Sequence, residues 1–268
     1  MQIQVIDNII YWAEIIGTIA FALSGAMVGI EKRFDIFGII VLAISTAVGG
    51  GAIRDVMIGR TPPNMFVQPI YATLAIVSAI VVFILTYNAR YFSRYRKIYF
   101  FLVEAFDTIG LGVFAITASN LIIELYPGNL LLTCFMAFLT GAGGGILRDM
   151  MSGRISVVLR KRIYAVAAIA GSALYYFWYD THPNKSIIMI ICILVVILIR
   201  MVAVHYHWNL PKPSEDYFRV MEEEMMAKQH WEQTADPKAV KFIKHSKKRK
   251  KTAHNKENNI TNQQERLK

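Results

Sequence analysis

The chain has 268 residues, of which 55% are hydrophobic, and its mean hydropathy is +0.40; this composition argues against one or two soluble domains and favours a protein that crosses a membrane several times. The net charge of +10 is divided evenly, with 15 basic against 10 acidic residues in 1–205 and 14 against 9 in 206–268, so we expect no nucleic-acid partner. Both cysteines, Cys134 and Cys192, lie in apolar runs without metal-ligand spacing, and we expect no disulfide framework, metal or cofactor.

Seven apolar runs follow one another in the first 205 residues, and each is long enough to cross about 30 Å of hydrocarbon. The first run has no basic segment before it and no small-residue cleavage site, so we expect a retained span rather than a signal peptide. The fold class predicted is therefore an all-α polytopic membrane protein with seven transmembrane helices. The expected spans are 9–30, 36–57, 69–88, 98–121, 129–150, 162–180 and 186–205.

Basic residues are concentrated in alternate connections between these spans. The first, third and fifth connections carry most of them: Lys32, Arg33, Arg90, Arg94, Arg96, Lys97, Arg154, Arg160, Lys161 and Arg162. The second and sixth have only Arg60 and Lys185, and the fourth has none. Because basic loops stay in the cytoplasm, we expect the N-terminus outside and the C-terminus inside a bacterial cytoplasmic membrane.

A doubled motif organises the chain. The run Gly-Gly-Gly-Ala-Ile-Arg-Asp at 49–55 returns as Gly-Gly-Gly-Ile-Leu-Arg-Asp at 143–149, and a Glu-x-x-x-Thr pattern also occurs twice, at 14–18 and 104–108. Since each copy spans three helices, an odd number, the second enters the membrane from the opposite side. We therefore predict a 3+3 inverted repeat, with units at 1–96 and 97–182, a seventh helix at 183–210, and a basic, largely disordered cytoplasmic tail at 211–268.

The two glycine triplets are the first candidate site. Each glycine is about 1 kcal/mol worse than alanine inside a helix, and glycine-interrupted spans at matching places in two halves indicate a substrate or ion pathway. We expect kinked or broken helices whose carbonyls face a cavity and replace part of a cation's hydration shell. Tight helix packing through small residues is the alternative. The residues concerned are Gly49, Gly50, Gly51, Gly143, Gly144 and Gly145.

Hydroxyl groups one turn before the triplets could add oxygens to the same pathway. These are Ser45, Thr46 and Thr140. The alternative is that each hydroxyl bonds back to the carbonyl one turn earlier in its own helix.

Ionisable residues within the predicted spans form the second candidate site, because each needs a partner at membrane depth. They are Glu14, Arg54, Asp55, Glu104, Asp107, Arg148 and Asp149. Neighbours in sequence do not face each other on a helix, so depth predicts the pairs Glu14–Arg54 near the outer face and Glu104–Arg148 near the inner face. These pairs either lock helices together or form charged constrictions, and Asp107 is expected to be unpaired.

The tail beyond His205 has a different character. Residues 214–231 are predicted to form a short helix with Ser214 as its N-cap. The stretch Lys241–Lys251 is strongly basic and is interpreted either as a solvated tail or as a segment attracted to anionic membrane lipids.

The motif Gly-Gly-Gly-x-x-Arg-Asp-x-x-x-Gly-Arg-x-Pro-Pro at 49–63, its echo at 143–154 and the run Gly-Thr-Ile-Ala-Phe-Ala-Leu-Ser-Gly at 17–25 resemble the prokaryotic relatives of the trimeric intracellular cation (TRIC) channels. The same family is also described as a glycine-transporter-type membrane domain. The resemblance implies a homotrimer with one pore in each protomer. It also implies that the second and fifth spans, kinked at the triplets, line this pore and pass monovalent cations, potassium above all.

Two functions therefore remain from the sequence. The first is a potassium channel, and the second is a secondary transporter of a small zwitterion such as glycine, whose carboxylate would bind at half-helix N-termini. An enzyme is not expected, because neither Asp55 nor Asp149 has the Gly-x-Gly-Asp setting of an intramembrane aspartyl protease and the first six spans contain no histidine.

Overall fold

The computed structural model describes residues 2–87, 96–156 and 163–206, and in the tail positions 219, 221, 223 and 225–227. Residues 1–210 form one compact unit and 211–268 a second. The described tail positions are helical and lie within the predicted 214–231 helix. The predictions for Lys241–Lys251, and for the basic residues in 88–95 and 157–162, lie outside the described residues.

Regular structure in the described part of the chain is entirely helical. The helices are α1 (Gln2–Glu31), α2 (Ile36–Met57), α3 (Asn64–Val67), α4 (Ile70–Tyr87), α5 (Arg96–Leu125), α6 (Leu130–Met151), α7 (Ile163–Tyr179) and α8 (Lys185–His205). Apart from the four-residue helix α3, which was not predicted, each helix coincides with one predicted span. Helices α1 and α5 are longer than their predicted spans because helix continues beyond the apolar run.

Five of these helices are long and apolar enough to cross a membrane. Within the described residues these stretches are Ile6–Glu31, Ile36–Met57, Ile98–Leu125, Leu130–Met151 and Lys185–His205. The apolar stretch of α4, Ile70–Thr86, is shorter, and α7 has 17 residues. The helical fold is thus as predicted, whereas the count of seven crossings stays a prediction.

Helices α2 and α6 begin and end in the same way. Asp35 accepts a hydrogen bond from the Gly38 amide at 2.7 Å at the start of α2, and Asn129 does the same for Leu132 at 3.0 Å at the start of α6. At the end of α2 the glycine at 59 has φ 76°, and the next amide donates back to the carbonyl of residue 55 at 2.8 Å. At the end of α6 the glycine at 153 has φ 65°, and the amide of 154 donates to the carbonyl of 149 at 2.8 Å.

These two ends are Schellman motifs, in which a glycine in the left-handed region lets the chain satisfy the last carbonyls and turn away. The Gly-Arg dipeptide after each Arg-Asp is therefore explained by helix termination. Both helices stop one turn after the Arg-Asp pair, so both pairs lie at a helix C-terminus.

The helices pack in two groups of three. Helices α1, α2 and α4 contact one another, and so do α5, α6 and α7. The groups meet where α1 packs on α5 and α2 packs on α6, while α8 packs against α5 and α7. There are two hydrophobic cores among the described residues, and each draws on both groups, since Val103 and Phe114 of α5 belong to the first and Ile10 of α1 packs against the second. The candidate site lies at this junction between the two groups.

Candidate functional site

The glycine triplets are the place where α2 and α6 cross. A methyl group built on Gly50 would overlap the carbonyl oxygen of Thr140, and one built on Gly144 would overlap the carbonyl oxygen of Thr46. The position of a Cβ on Gly143 lies only 3.1 Å from the Cα of Gly50. The two backbones are therefore in direct contact, which confirms the packing alternative for the glycines at the centre of each triplet.

Both helices are continuous α-helix through their triplets. The expectation of a broken helix with freed carbonyls is therefore wrong, because neither helix loses its regular structure at the glycines. A bend without loss of helix stays a prediction. Gly51 is the least confined member of the triplets, since a Cβ there would lie no closer than 3.9 Å to its nearest neighbour, Arg54 Nη2, whereas a Cβ on Gly49 would overlap the Leu147 side chain.

The hydroxyls before the triplets bond to their own helices. Thr46 Oγ1 donates to the Leu42 carbonyl at 2.6 Å, and Thr140 Oγ1 donates to the Met136 carbonyl at 2.7 Å. Both threonines are buried, and Ser45 is half-buried. The alternative of a bond one turn back is therefore confirmed for the two threonines, so each hydroxyl hydrogen is already used.

The first charged cluster lies at the end of α2. Arg54 donates through Nε and Nη2 to Asp55 Oδ1 at 2.9 and 2.8 Å, and both side chains are buried. Asp55 Oδ2 accepts the backbone amide of Asn64 at 2.8 Å, which ties α2 to the start of α3. Glu14 accepts the hydroxyl of Tyr71 at 2.6 Å. The predicted direct pair Glu14–Arg54 is wrong, because each of the two residues bonds to a different partner.

The second charged cluster lies at the end of α6 and is more extensive. Arg148 donates through Nη1 to Asp107 at 2.7 Å and to Ser24 at 2.6 Å, and through Nε and Nη2 to Asp149 at 3.0 and 2.9 Å. The expectation of an unpaired Asp107 is therefore wrong. The predicted partner of Arg148 was Glu104, which instead lies in the wall of the neighbouring cavity.

The clusters differ because their helical neighbours differ. Gly17 occupies the place in the first half that Asp107 occupies in the second, so only the second arginine receives a carboxylate from another helix. In the second cluster two carboxylates therefore bond to one buried guanidinium. The Ser24 contact joins this cluster to α1, in the other half of the fold.

Two large cavities approach these clusters from opposite ends of α1 and α5. The first has a volume of about 500 Å³ and includes Asp7, Glu14, Arg54 and Glu124 in its wall. A smaller cavity of about 40 Å³ shares Glu14 and Arg54 with it and reaches inward to Thr18 and Phe114. The wall of the first large cavity also includes Arg60, Tyr71, Thr117 and Asn120.

The second large cavity has a volume of about 570 Å³ and lies at the other end of the same helices. Its wall includes the charged residues Glu31, Glu104, Asp107, Arg148, Asp149, Arg154 and Arg200. Arg154 bonds Glu31 at 2.5 Å, with the two side chains 25% and 32% exposed. Each cavity therefore contains the arginine of one glycine motif.

An apolar layer separates the two cavities. The rings of Phe21 and Phe114 stack with centroids 5.5 Å apart and planes 13° apart. Phe21 is buried against Gly110, where any Cβ would overlap its ring. Along α1 the layer lies between Thr18 and Ser24, and along α5 it lies between Thr117 and Asp107, so each side of it faces one charged cavity.

Two segments of the chain, residues 11–87 and 104–180, each match the model of a family described as Glycine transporter. The inner membrane protein YadS of Escherichia coli (strain K12) is 34% identical over 205 residues, which are 76% of this chain and 95% of that protein. The membrane protein YvgT of Bacillus subtilis (strain 168) is 34% identical over 204 residues, 75% of this chain and 95% of that protein.

Solved structures have the same fold. The crystal structure of a prokaryotic TRIC channel in 0.5 M KCl matches with a TM-score of 0.67 at 32% identity, over 76% of this chain and 99% of that one. The chain belongs to the prokaryotic TRIC channel family. The TRIC trimeric intracellular cation channel orthologue from Rhodobacter sphaeroides matches with a TM-score of 0.67 at 28% identity, over 75% of this chain and 100% of that one.

The TRIC family resemblance stated from the motifs is thereby confirmed, and so is a membrane protein with transmembrane helices. Each of the two matching segments of this TRIC chain contains one glycine triplet and one Arg-Asp pair. Helix α8 lies beyond both segments.

Arg200 on α8 was missed by the sequence analysis of this TRIC chain. It is 1% exposed, and its guanidinium carbon lies 4.6 Å from the centre of the Tyr164 ring. A signal was available, because Arg200 is the only charged residue between Lys185 and His205 in an otherwise apolar span. No signal in the sequence pointed to the Phe21–Phe114 layer or to Ser24 as a partner of Arg148, because both depend on how α1 packs on the second half.

Proposed function

We propose that the chain is a channel for monovalent cations, potassium above all, that works as a homotrimer with one pore in each protomer. The observation that carries this proposal is the pair of charged cavities that approach one apolar layer from opposite ends of the α1–α5 pair. The solved TRIC structures, described as cation channels, support it by their similarity of fold. The relatives named as inner membrane proteins support a cytoplasmic membrane location.

The charges of the cavities favour cations. The first cavity contains the carboxylates of Asp7, Glu14 and Glu124 against the guanidinium groups of Arg54 and Arg60. The second contains four carboxylates against three guanidinium groups. Among the described wall residues, each cavity therefore has one more negative than positive side chain. A cleft with an excess of one sign of charge concentrates ions of the other sign.

The pore follows the junction between the halves in this proposal. Helices α2 and α6, which are the second and fifth predicted spans, form one wall at the glycine crossing, and α1 and α5 supply the apolar layer. Glu14, Asp55, Glu104 and Asp107 are the carboxylates along the route. In this proposal the Phe21–Phe114 stack is the point at which the route is closed.

The inverted repeat is part of the same proposal. The three-helix groups pack by the same pairs of elements, α2 and α6 end in the same motif, and the family model matches once in each half. With three spans in each half, the halves enter the membrane in opposite orientation. In this proposal the two large cavities are the two mouths of the pore. The N-terminus lies outside the cell.

The apolar layer gives a direct prediction. Replacing Phe114 by alanine removes one ring of the stack and is expected to raise potassium flux severalfold, because a hydrophobic constriction limits ions by excluding water. The measurement is potassium efflux from liposomes under a potassium gradient. Phe101, an exposed phenylalanine on the same helix, is the matched control, and its alanine variant should conduct like wild type. Unchanged flux in Phe114→Ala would remove the layer from the pathway.

The description of the family model as Glycine transporter favours one alternative, a secondary transporter of a small zwitterion. Flux into liposomes that hold the purified protein separates the two functions. A large potassium flux that is indifferent to glycine supports the channel. Saturable glycine uptake with little potassium flux would replace the channel by the transporter.

A further inference from the structure

Arg200 is a buried cation whose bonding differs from that of the other two buried arginines. Arg200 as a residue is 1% exposed, and its guanidinium lies over the Tyr164 ring. Among the described residues, its Nε and Nη2 atoms have no hydrogen-bond partner. A buried donor without a partner is costly, and a charged one more so, which makes this arrangement rare unless something binds there.

The Nε–Nη2 edge of the guanidinium, which has no partner in Arg200, binds a carboxylate in two other arginines of this protein. In Arg54 and in Arg148, Nε and Nη2 donate together to the carboxylate of the next residue, Asp55 or Asp149, at 2.8 to 3.0 Å. The residue after Arg200 is Met201, which offers no such oxygen. Within the described residues, a neighbouring aspartate therefore accepts from this edge in Arg54 and Arg148, whereas no residue accepts from it in Arg200.

Arg200 lies in the wall of the 570 Å³ cavity, which is large enough for a small molecule. The other two guanidinium groups in that wall are already paired, Arg148 with two aspartates and Arg154 with Glu31. Arg200 is thus the one cation of this wall, within the described residues, whose Nε and Nη2 atoms have no partner. Because both atoms are buried, the side chain must shift toward the cavity before an anion can bind this edge.

We propose that this cavity contains a binding site for a small, singly charged carboxylate, held by the Nε–Nη2 edge of Arg200. The planar two-oxygen geometry of a carboxylate matches the two parallel donors of a guanidinium edge. The carboxylates of Glu31, Glu104 and Asp107 in the same wall repel an anion of higher charge more strongly. The site goes beyond the proposed channel function, since binding can be measured whether or not the protein conducts.

Thermal unfolding of the purified protein in detergent tests the proposal. Potassium acetate is substituted for potassium chloride at constant concentration, so that the cation and the ionic strength do not change. A ligand that binds only the folded state raises the Tm in a concentration-dependent, saturating way. Wild type is expected to show this increase.

Three variants assign the effect. Arg200→Gln removes the charge, Arg200→Lys keeps the charge but lacks the two-donor edge, and both are expected to lose the saturating increase. If Arg200→Gln does not fold, Arg200→Lys carries the test alone. Arg154→Gln, in the same wall but already bonded to Glu31, should keep the increase. The proposal is overturned if the Tm of the wild type does not rise with acetate. It is also overturned if the Tm rises equally in wild type and in Arg200→Lys, since an equal rise is a general salt effect.

Discussion

Replacing Gly50 by alanine is expected to lower the free energy of unfolding by about 1–3 kcal/mol, because overpacking of a close contact forces the surrounding backbone to move. The new methyl group would overlap the carbonyl oxygen of Thr140, which belongs to the other helix of the crossing and cannot rotate away as a side chain can. The measurement is thermal or denaturant unfolding in detergent. The same result is expected for Gly144→Ala, which meets the carbonyl of Thr46.

Gly51→Ala is the matched control for this prediction. It is the next residue of the same triplet, and its methyl group would have no neighbour closer than 3.9 Å. Alanine is also the better helix former by about 1 kcal/mol, so the Tm should stay the same or rise. If Gly50→Ala and Gly51→Ala have equal Tm values, the crossing is not as close as described.

Arg148→Ala is expected to have the second large effect. It leaves the carboxylates of Asp107 and Asp149 buried without their cation, and breaking a buried pair from one side costs about 3–5 kcal/mol. Unfolding in detergent should show the loss, together with changed potassium flux.

Two controls separate charge from side-chain size in this case. Adding Asp107→Asn to Arg148→Ala should recover part of the lost Tm, because it removes one uncompensated charge. Arg154→Ala breaks a partly exposed pair and should cost no more than about 1 kcal/mol. If the double variant is less stable than Arg148→Ala alone, buried charge is not the cause of the destabilisation.

The positions of the helices could be predicted from the sequence because each predicted span is mostly apolar over a length that can cross a membrane. Helix α3 could not, since four residues carry no periodic pattern. The candidate residues could be singled out as a group, because intramembrane charge and repeated glycines are visible without a structure; their role in a pathway stays a prediction.

The partners of these residues could not be predicted in the same way. The rule that neighbours on a helix do not face each other describes the Cα–Cβ directions. The Arg54 side chain is long enough to fold back onto Asp55, and Arg148 does the same with Asp149. The Asp107 and Ser24 contacts join α6 to α5 and α1, and they depend on packing across the two halves.

The contact of α2 and α6 through bare backbone also determines how the helices can move. No side chain lies between α2 and α6 at Gly50 and Gly144, so we expect the two helices to rotate about this contact. A Leu147 methyl group lies against Gly49, and we expect it to hinder sliding of one helix along the other. If the crossing angle of α2 and α6 increases while the point of contact stays fixed, the ends of the two helices move apart on both sides of the crossing. We expect such a movement to displace Arg54 near the end of α2 and Arg148 near the end of α6, each of which lies in the wall of one large cavity.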